Sequence, residues 1–107
     1  MEKLFKALAS EPRRRILSYL LEGPMTVGEI GDYFEMALPS ISSHLAILKE
    51  SGVVRERRQG QYRLYSIEKD VLANGLLAFL APYDDEAGRI AEERNLMGRK
   101  GRQRREV

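Results

Sequence analysis

The stretch that decides the fold runs from Thr26 to Gly60. It opens Thr26-Val27-Gly28-Glu29-Ile30 and passes Met36-Ala37-Leu38-Pro39. It continues Ser40-Ile41-Ser42-Ser43-His44-Leu45-Ala46-Ile47-Leu48 and closes Gly52-Val53-Val54-Arg55-Glu56-Arg57-Arg58-Gln59-Gly60. Thr26 with Glu29 three positions on is a capping box: the hydroxyl accepts from the Glu29 amide and the carboxylate reaches back. Val27, Ile30 and Phe34 then give one apolar helical face. A short turn through Met36 and Ala37 leads to Pro39, whose fixed φ suits the first turn of another helix. Ile41, Leu45 and Leu48 recur at i, i+4 and i+7, so that helix buries one stripe. Its other face shows Ser40, Ser43 and His44, with Ser42 on the flank. Gly52 is placed to end it as a left-handed cap.

Beyond Gly52 the period changes from 3.6 to 2. Val53 to Arg57 and Tyr62 to Ile67 are rich in β-branched and aromatic residues and read as strands. Arg58-Gln59-Gly60-Gln61 between them is a hairpin loop containing glycine. Working backwards, Ser10-Glu11-Pro12 starts a helix, with Ser10 or Glu11 as its cap. That helix carries Ile16, Leu17, Leu20 and Leu21 on one stripe and stops at Gly23-Pro24. Before it, Glu2 to Ala9 places Leu4, Phe5 and Leu8 on one face.

Working forwards, a last helix is predicted from Lys69 to Ala81, with Val71, Leu72, Leu76, Leu77, Phe79 and Leu80. Asn74-Gly75 weakens it locally, and Pro82 ends or kinks it. From Asp84 onward the chain is mostly charged. Ile90, Leu96 and Met97 support a short extra helix, and the residues after Gly98 are expected to be disordered. The prediction is therefore one domain over 1–82 and a charged extension over 83–107, partly helical or disordered. The fold class is mainly α with a β-hairpin, in the order α-α-α-α-β-β-α.

Two amphipathic helices joined by a short turn and followed by a basic hairpin describe a winged helix-turn-helix. A helix that enters the major groove of DNA needs short hydrogen-bonding side chains to approach base edges. Ser40, Ser42, Ser43 and His44 suit that task, and Leu38 and Pro39 stand at the start of the same helix. The hairpin supplies Arg57 and Arg58 beside Gly60. The run Arg13-Arg14-Arg15 reads as mixed, one arginine pairing with an acidic neighbour while Arg13 and Arg14 are assigned to phosphate. The net charge is only +2, but the cations are clustered, with a third cluster in Arg99-Lys100-Gly101-Arg102-Gln103-Arg104-Arg105. Distribution matters more than the total for nucleic-acid binding.

The sequence resembles the ArsR/SmtB family of bacterial repressors. The matching stretches are FKALASEPRRRILSYL, MTVGEIGDYF, PSISSHLAILKESGVV and RRQGQYRLYSI, which together span roughly Leu4 to Leu80. Within the family it is most similar to the SdpR-like autorepressor branch, which carries no metal or thiol sensor. The resemblance implies that Ser42 and Ser43 face the major groove, with Leu38 and Pro39 at further contacting positions. It implies that Arg58, Gln59, Gly60 and Gln61 form the wing tip. It implies a homodimer built through the first and last helices, by Leu4, Phe5, Leu8, Leu72, Leu76, Phe79 and Leu80. Many relatives carry Ser or Gln where this chain has Ala37-Leu38-Pro39, so polar contacts at the helix start are missing here.

The expected partner is double-stranded DNA, bound as a dimer over an inverted repeat, with no membrane and no cofactor. The chain has no cysteine and one histidine. That excludes thiolate metal sites, disulfides and thiol sensing, and disfavours an imidazole zinc site within one chain. Glu29, Asp32 and Glu35 read as a solvated face, and an organic effector stays open. No apolar run approaches the ~20 residues of a membrane span, and no signal-peptide pattern opens the chain, so a cytoplasmic location is expected. The rival readings are a winged helix used for protein–protein contact, which the basic wing and tail oppose, and an enzyme. No nucleophile–base pair or phosphate-binding loop supports an enzyme.

Overall fold

The computed structural model describes residues 1–105, with the side chains of 84–87 and 98–105 outside the description. The elements are α1 (Glu2–Leu8), α2 (Glu11–Leu20), α3 (Val27–Gly31), α4 (Leu38–Glu50), β1 (Val54–Gln59), β2 (Tyr62–Ile67) and α5 (Lys69–Arg105). The predicted order is the observed one. The chain divides into a unit of residues 1–75 and a second unit that begins at Leu76 and is helical through Arg105.

Local chemistry sets the helix starts. Ser10 caps α2, its Oγ accepting from the Arg13 amide at 3.5 Å, with Pro12 in the first turn. Both arms of the α3 capping box are made: the Glu29 amide donates to Thr26 Oγ1 at 3.1 Å, and the Thr26 amide donates to Glu29 Oε1 at 3.0 Å. Gly52, at φ +87°, follows α4 as the left-handed residue the periodicity called for.

The core is the meeting place of the helical stripes. Ile16 and Leu20 of α2, Ile30 of α3, and Ile41, Leu45 and Leu48 of α4 are fully buried together with Val53. Burying such side chains contributes about 1.5–3 kcal/mol each. Leu21, expected on the α2 stripe, is exposed instead, because the helix proper ends at Leu20 and the chain turns there. Gly75 sits where α5 meets α1: a Cβ there would come within 2.6 Å of the Leu4 side chain. The residue that weakens helix propensity thus leaves room for a core leucine.

The hairpin is tighter than predicted. The pairing runs from Val54 with Ile67 to Gln59 with Tyr62, so only Gly60 and Gln61 form the turn. Gly60 at φ +62° occupies the first central position, where a two-residue hairpin of the II′ kind demands glycine. Arg58 and Gln59 therefore lie on the strand, not in the loop. A third backbone segment joins them: Met25 and Tyr65 exchange backbone hydrogen bonds of 3.0 and 2.8 Å, tying the α2–α3 connection to β2.

The last helix departs most from expectation. It does not stop at Ala81 but runs on through Pro82 to Arg105, including the segment after Gly98 that was expected to be disordered. Proline removes one N–H, the partner of the Ala78 carbonyl, while the following residues are mostly strong helix formers. Arg89 and Glu93 add an i,i+4 pair at 3.3 Å. No helix among the described residues is long and apolar enough to cross a membrane.

Candidate nucleic-acid interface

Burying Ile41, Leu45 and Leu48 turns the opposite side of α4 to solvent. Leu38, Pro39, Ser40, Ser42 and Ser43 are all exposed there. Ser43 Oγ donates to the Pro39 carbonyl at 3.0 Å, the back-bond usual for serine within a helix. Ser40 and Ser42 have no such engagement among the described residues. His44 is half-buried at the edge of this face, against α2.

The hairpin's cations look alike in sequence and differ in space. Arg55 pairs with Glu68 at 3.6 Å, and Arg63 pairs with Glu56 at 3.3 Å. Glu56 also takes Lys49 of α4 at 2.8 Å. The Lys49 hydrogen bond, aided by the charges of Lys49 and Arg63 and opposed by desolvation, holds the Glu56 carboxyl below its ordinary range. Glu56 thereby links the end of α4 to the wing. Arg57 and Arg58 have no ion pair or side-chain hydrogen bond among the described residues, and both are exposed beside Gln59, Gly60 and Gln61.

One residue of the helix face, Ser42, meets the wing. Ser42 lines a cleft of about 420 Å³ together with Gln61, Tyr62 and Arg63 of the hairpin and Thr26 to Gly28 at the start of α3. Tyr62 and Arg63 were not singled out in the sequence. Their adjacency to Gly60 was the available signal, since a two-residue turn places them at the wing tip.

Each arginine of the run Arg13-Arg14-Arg15 is engaged within the protein. Arg13 donates from Nε to the Ala7 carbonyl at 2.8 Å and from Nη2 to the Lys6 carbonyl at 2.7 Å. Arg14 donates to the Leu8 carbonyl at 2.8 Å. Both guanidiniums thus donate to carbonyls at the end of α1, where that of Lys6 also accepts from the Ala9 amide at 3.4 Å and a cation complements the helix dipole. Arg15 donates to Tyr19 Oη and to the Tyr33 carbonyl, each at 3.0 Å, and lies 4.3 Å from the Phe34 ring centroid. It also carries the expected acidic pairing, with Glu11 at 3.8 Å. The run is a clasp between helices.

The residues assigned to a dimer interface also divide. Leu4, only 7% exposed, belongs to the core of its own unit, and Leu8 and Leu72 pack half-buried against that core, while Phe5 is half-buried. In the helical unit Leu76 and Leu80 are 38% and 53% exposed, and Phe79 is half-buried with its ring 5.3 Å from that of Tyr83. Among the described residues no three His, Asp or Glu side chains gather as a metal site.

A short turn between two helices, a second helix showing small polar side chains, and a hairpin with unpaired cations beside it define a winged helix-turn-helix. The chain belongs to the ArsR family of bacterial regulatory proteins, whose sequence profile matches residues 10–56. The transcriptional repressor SdpR of Bacillus subtilis is 40% identical over 89 residues, which span 80% of this chain and 99% of SdpR. The crystal structure of an ArsR family transcriptional regulator superposes with a TM-score of 0.74 at 38% identity, covering 81% of this chain and 94% of that one. A homodimeric winged helix-turn-helix DNA-binding domain from Mycobacterium bovis superposes with a TM-score of 0.64 at 33% identity, covering 78% and 79% of the two chains.

Proposed function

We propose that this chain is a transcriptional repressor that binds an inverted-repeat operator as a homodimer. The observation that carries the reading is the shared cleft, in which Ser42 of α4 and Gln61 and Arg63 of the hairpin line one surface. α4 enters the major groove. Ser40, Ser42, Ser43 and His44 meet base edges, and Leu38 and Pro39 offer apolar contact, for which a thymine methyl is the matching group. Arg57 and Arg58, free of protein partners among the described residues, neutralise phosphates beside the Gln59-Gly60-Gln61 tip.

Dimerisation follows from what a single copy leaves open. Leu76 and Leu80 present apolar surface on successive turns of α5. The homodimeric Mycobacterium bovis domain and the repressor SdpR support the assembly and the sign of regulation. A twofold axis sets two α4 helices about one DNA turn apart, roughly 34–36 Å, for successive major grooves. Bound across a promoter, the dimer excludes polymerase. With no cysteine in the chain, thiolate-based release of the repressor is not available to it.

Sequencing of DNA fragments selected by the purified protein tests the proposal. The expected product is a palindrome with half-sites one turn apart, and Ser42→Ala shifts the preferred bases without weakening non-specific binding. Replacing Leu76 and Leu80 with serine should give monomers in sedimentation. Selection of asymmetric single sites by a monomeric wild-type protein would refute it.

A further inference from the structure

Arg13 reaches from α2 to two other helices at once. Its Nε and Nη2 bonds to the Ala7 and Lys6 carbonyls anchor the guanidinium on the end of α1. Its Nη1 lies 3.2 Å from Nδ1 of His44, on α4. A guanidinium has five N–H donors, no acceptor, and does not lose its charge in a protein. The hydrogen bond therefore has one direction, with Arg13 donating and the Nδ1 lone pair accepting. A neutral imidazole carries its one proton on the other nitrogen, Nε2. Partial burial first, and the Arg13 charge second, hold the His44 pKa below its ordinary value, so the neutral ring is the form present at neutral pH.

We propose that Arg13 is a positioning residue for DNA readout: it locks His44 as the Nε2–H tautomer, so that α4 offers a hydrogen-bond donor and not an acceptor at this position. The inference rests on α4 being the helix that reads DNA. The partner chemistry is an acceptor atom. In the major groove that means guanine N7 or O6, adenine N7 or thymine O4, and it excludes the cytosine N4 amine. A phosphate oxygen offers the same chemistry without sequence information. The rigid planar fork is what makes the device work, since two of its bonds fix where the third points. A lysine at position 13 has only one mobile ammonium for three acceptors.

The test uses the full chain, where His44 is the sole histidine and its ring signals need no assignment. Long-range proton–nitrogen correlation spectra of the 15N-labelled protein report the tautomer directly. The expected result is a proton on Nε2 in the wild type and a mixed population in Arg13→Lys. A wild-type proton on Nδ1 overturns the proposal, whatever the DNA results. If Arg13→Lys does not fold, His44→Gln and His44→Ala, compared by DNA selection and by salt titration, carry the test. His44→Gln, which keeps an N–H donor, should retain an acceptor-bearing base at one position of each half-site. His44→Ala should lose about tenfold in discrimination there, the worth of one hydrogen bond, at an unchanged salt slope. A flattened slope with no change in base preference assigns the donor to phosphate and overturns base readout. Failure of the wild type to bind DNA at all refutes the reading of α4, and with it the readout, while the tautomer result stands separately.

Discussion

The sharpest consequence of the structure is that the hairpin arginines are not equivalent. Arg57 and Arg58 are unpaired among the described residues, whereas Arg55 is held by Glu68 and Arg63 by Glu56. Consider Arg57→Ala/Arg58→Ala in the dimer, which removes two such cations from each wing. Each phosphate neutralised contributes about −0.9 to the slope of log affinity against log salt. If all these side chains sit on phosphate, the variant's slope is shallower by roughly 3.6. Over a fourfold rise in salt, from about 50 to about 200 mM, the wild type then loses on the order of 150-fold more affinity than the variant does. Fluorescence anisotropy with operator and with scrambled DNA, at several salt concentrations, measures both slopes. The loss should be equal on the two DNAs, because phosphate contacts carry no sequence information. Arg55→Ala is the comparison, with an expected slope change below about one. An unchanged slope in the double variant, or an equal effect of Arg55→Ala and Arg58→Ala, refutes the division of the wing into free and paired cations.

Three further outcomes are expected of the folded domain. Thr26→Ala breaks one arm of the capping box that opens α3 and should cost about 1 kcal/mol, seen in thermal unfolding as a fall of roughly 4–8 °C. Leu48→Ala empties a fully buried site where α4 meets the core, for a loss of about 2–5 kcal/mol in urea titrations; a loss near zero would show that the site collapses freely. Acidification should destabilise in two stages. His44 has a folded pKa below its ordinary 6.5, so the unfolded chain takes up the proton first and stability falls as the pH drops below that value. Glu56 has a folded pKa below its ordinary 4.5, so its contribution is present above that pH and is lost as the pH falls through the lowered value. Urea midpoints against pH should lose the first stage in His44→Gln and the second in Glu56→Gln.

Local chemistry alone made much of this molecule legible. The Thr26/Glu29 box, the Ser10 cap with Pro12, the stripe Ile41-Leu45-Leu48 and the glycines at 52 and 60 each act within a few residues of themselves. Signals of that range are written in the sequence, because the groups that bond to each other are neighbours along the chain. They were enough to place the first four helices, the two strands and the exposed serine face.

What they could not supply was the destination of long side chains. Arg13, Arg14 and Arg15 are one basic run in sequence, yet each reaches groups on α1, α4 or the α3–α4 connection that chain order does not pair with it. Arg57 and Arg63 belong to one basic hairpin, but only the antiparallel register places Glu56 within reach of the second. The Met25–Tyr65 pairing, the burial of Leu4 against Gly75 and the passage of α5 through Pro82 were likewise invisible to periodicity. Caps, turns and buried stripes depend on spacing, which the sequence states by itself. Which charges are spent inside the fold and which remain for DNA depends on distances between segments remote in the chain, and those exist only once the helices have packed.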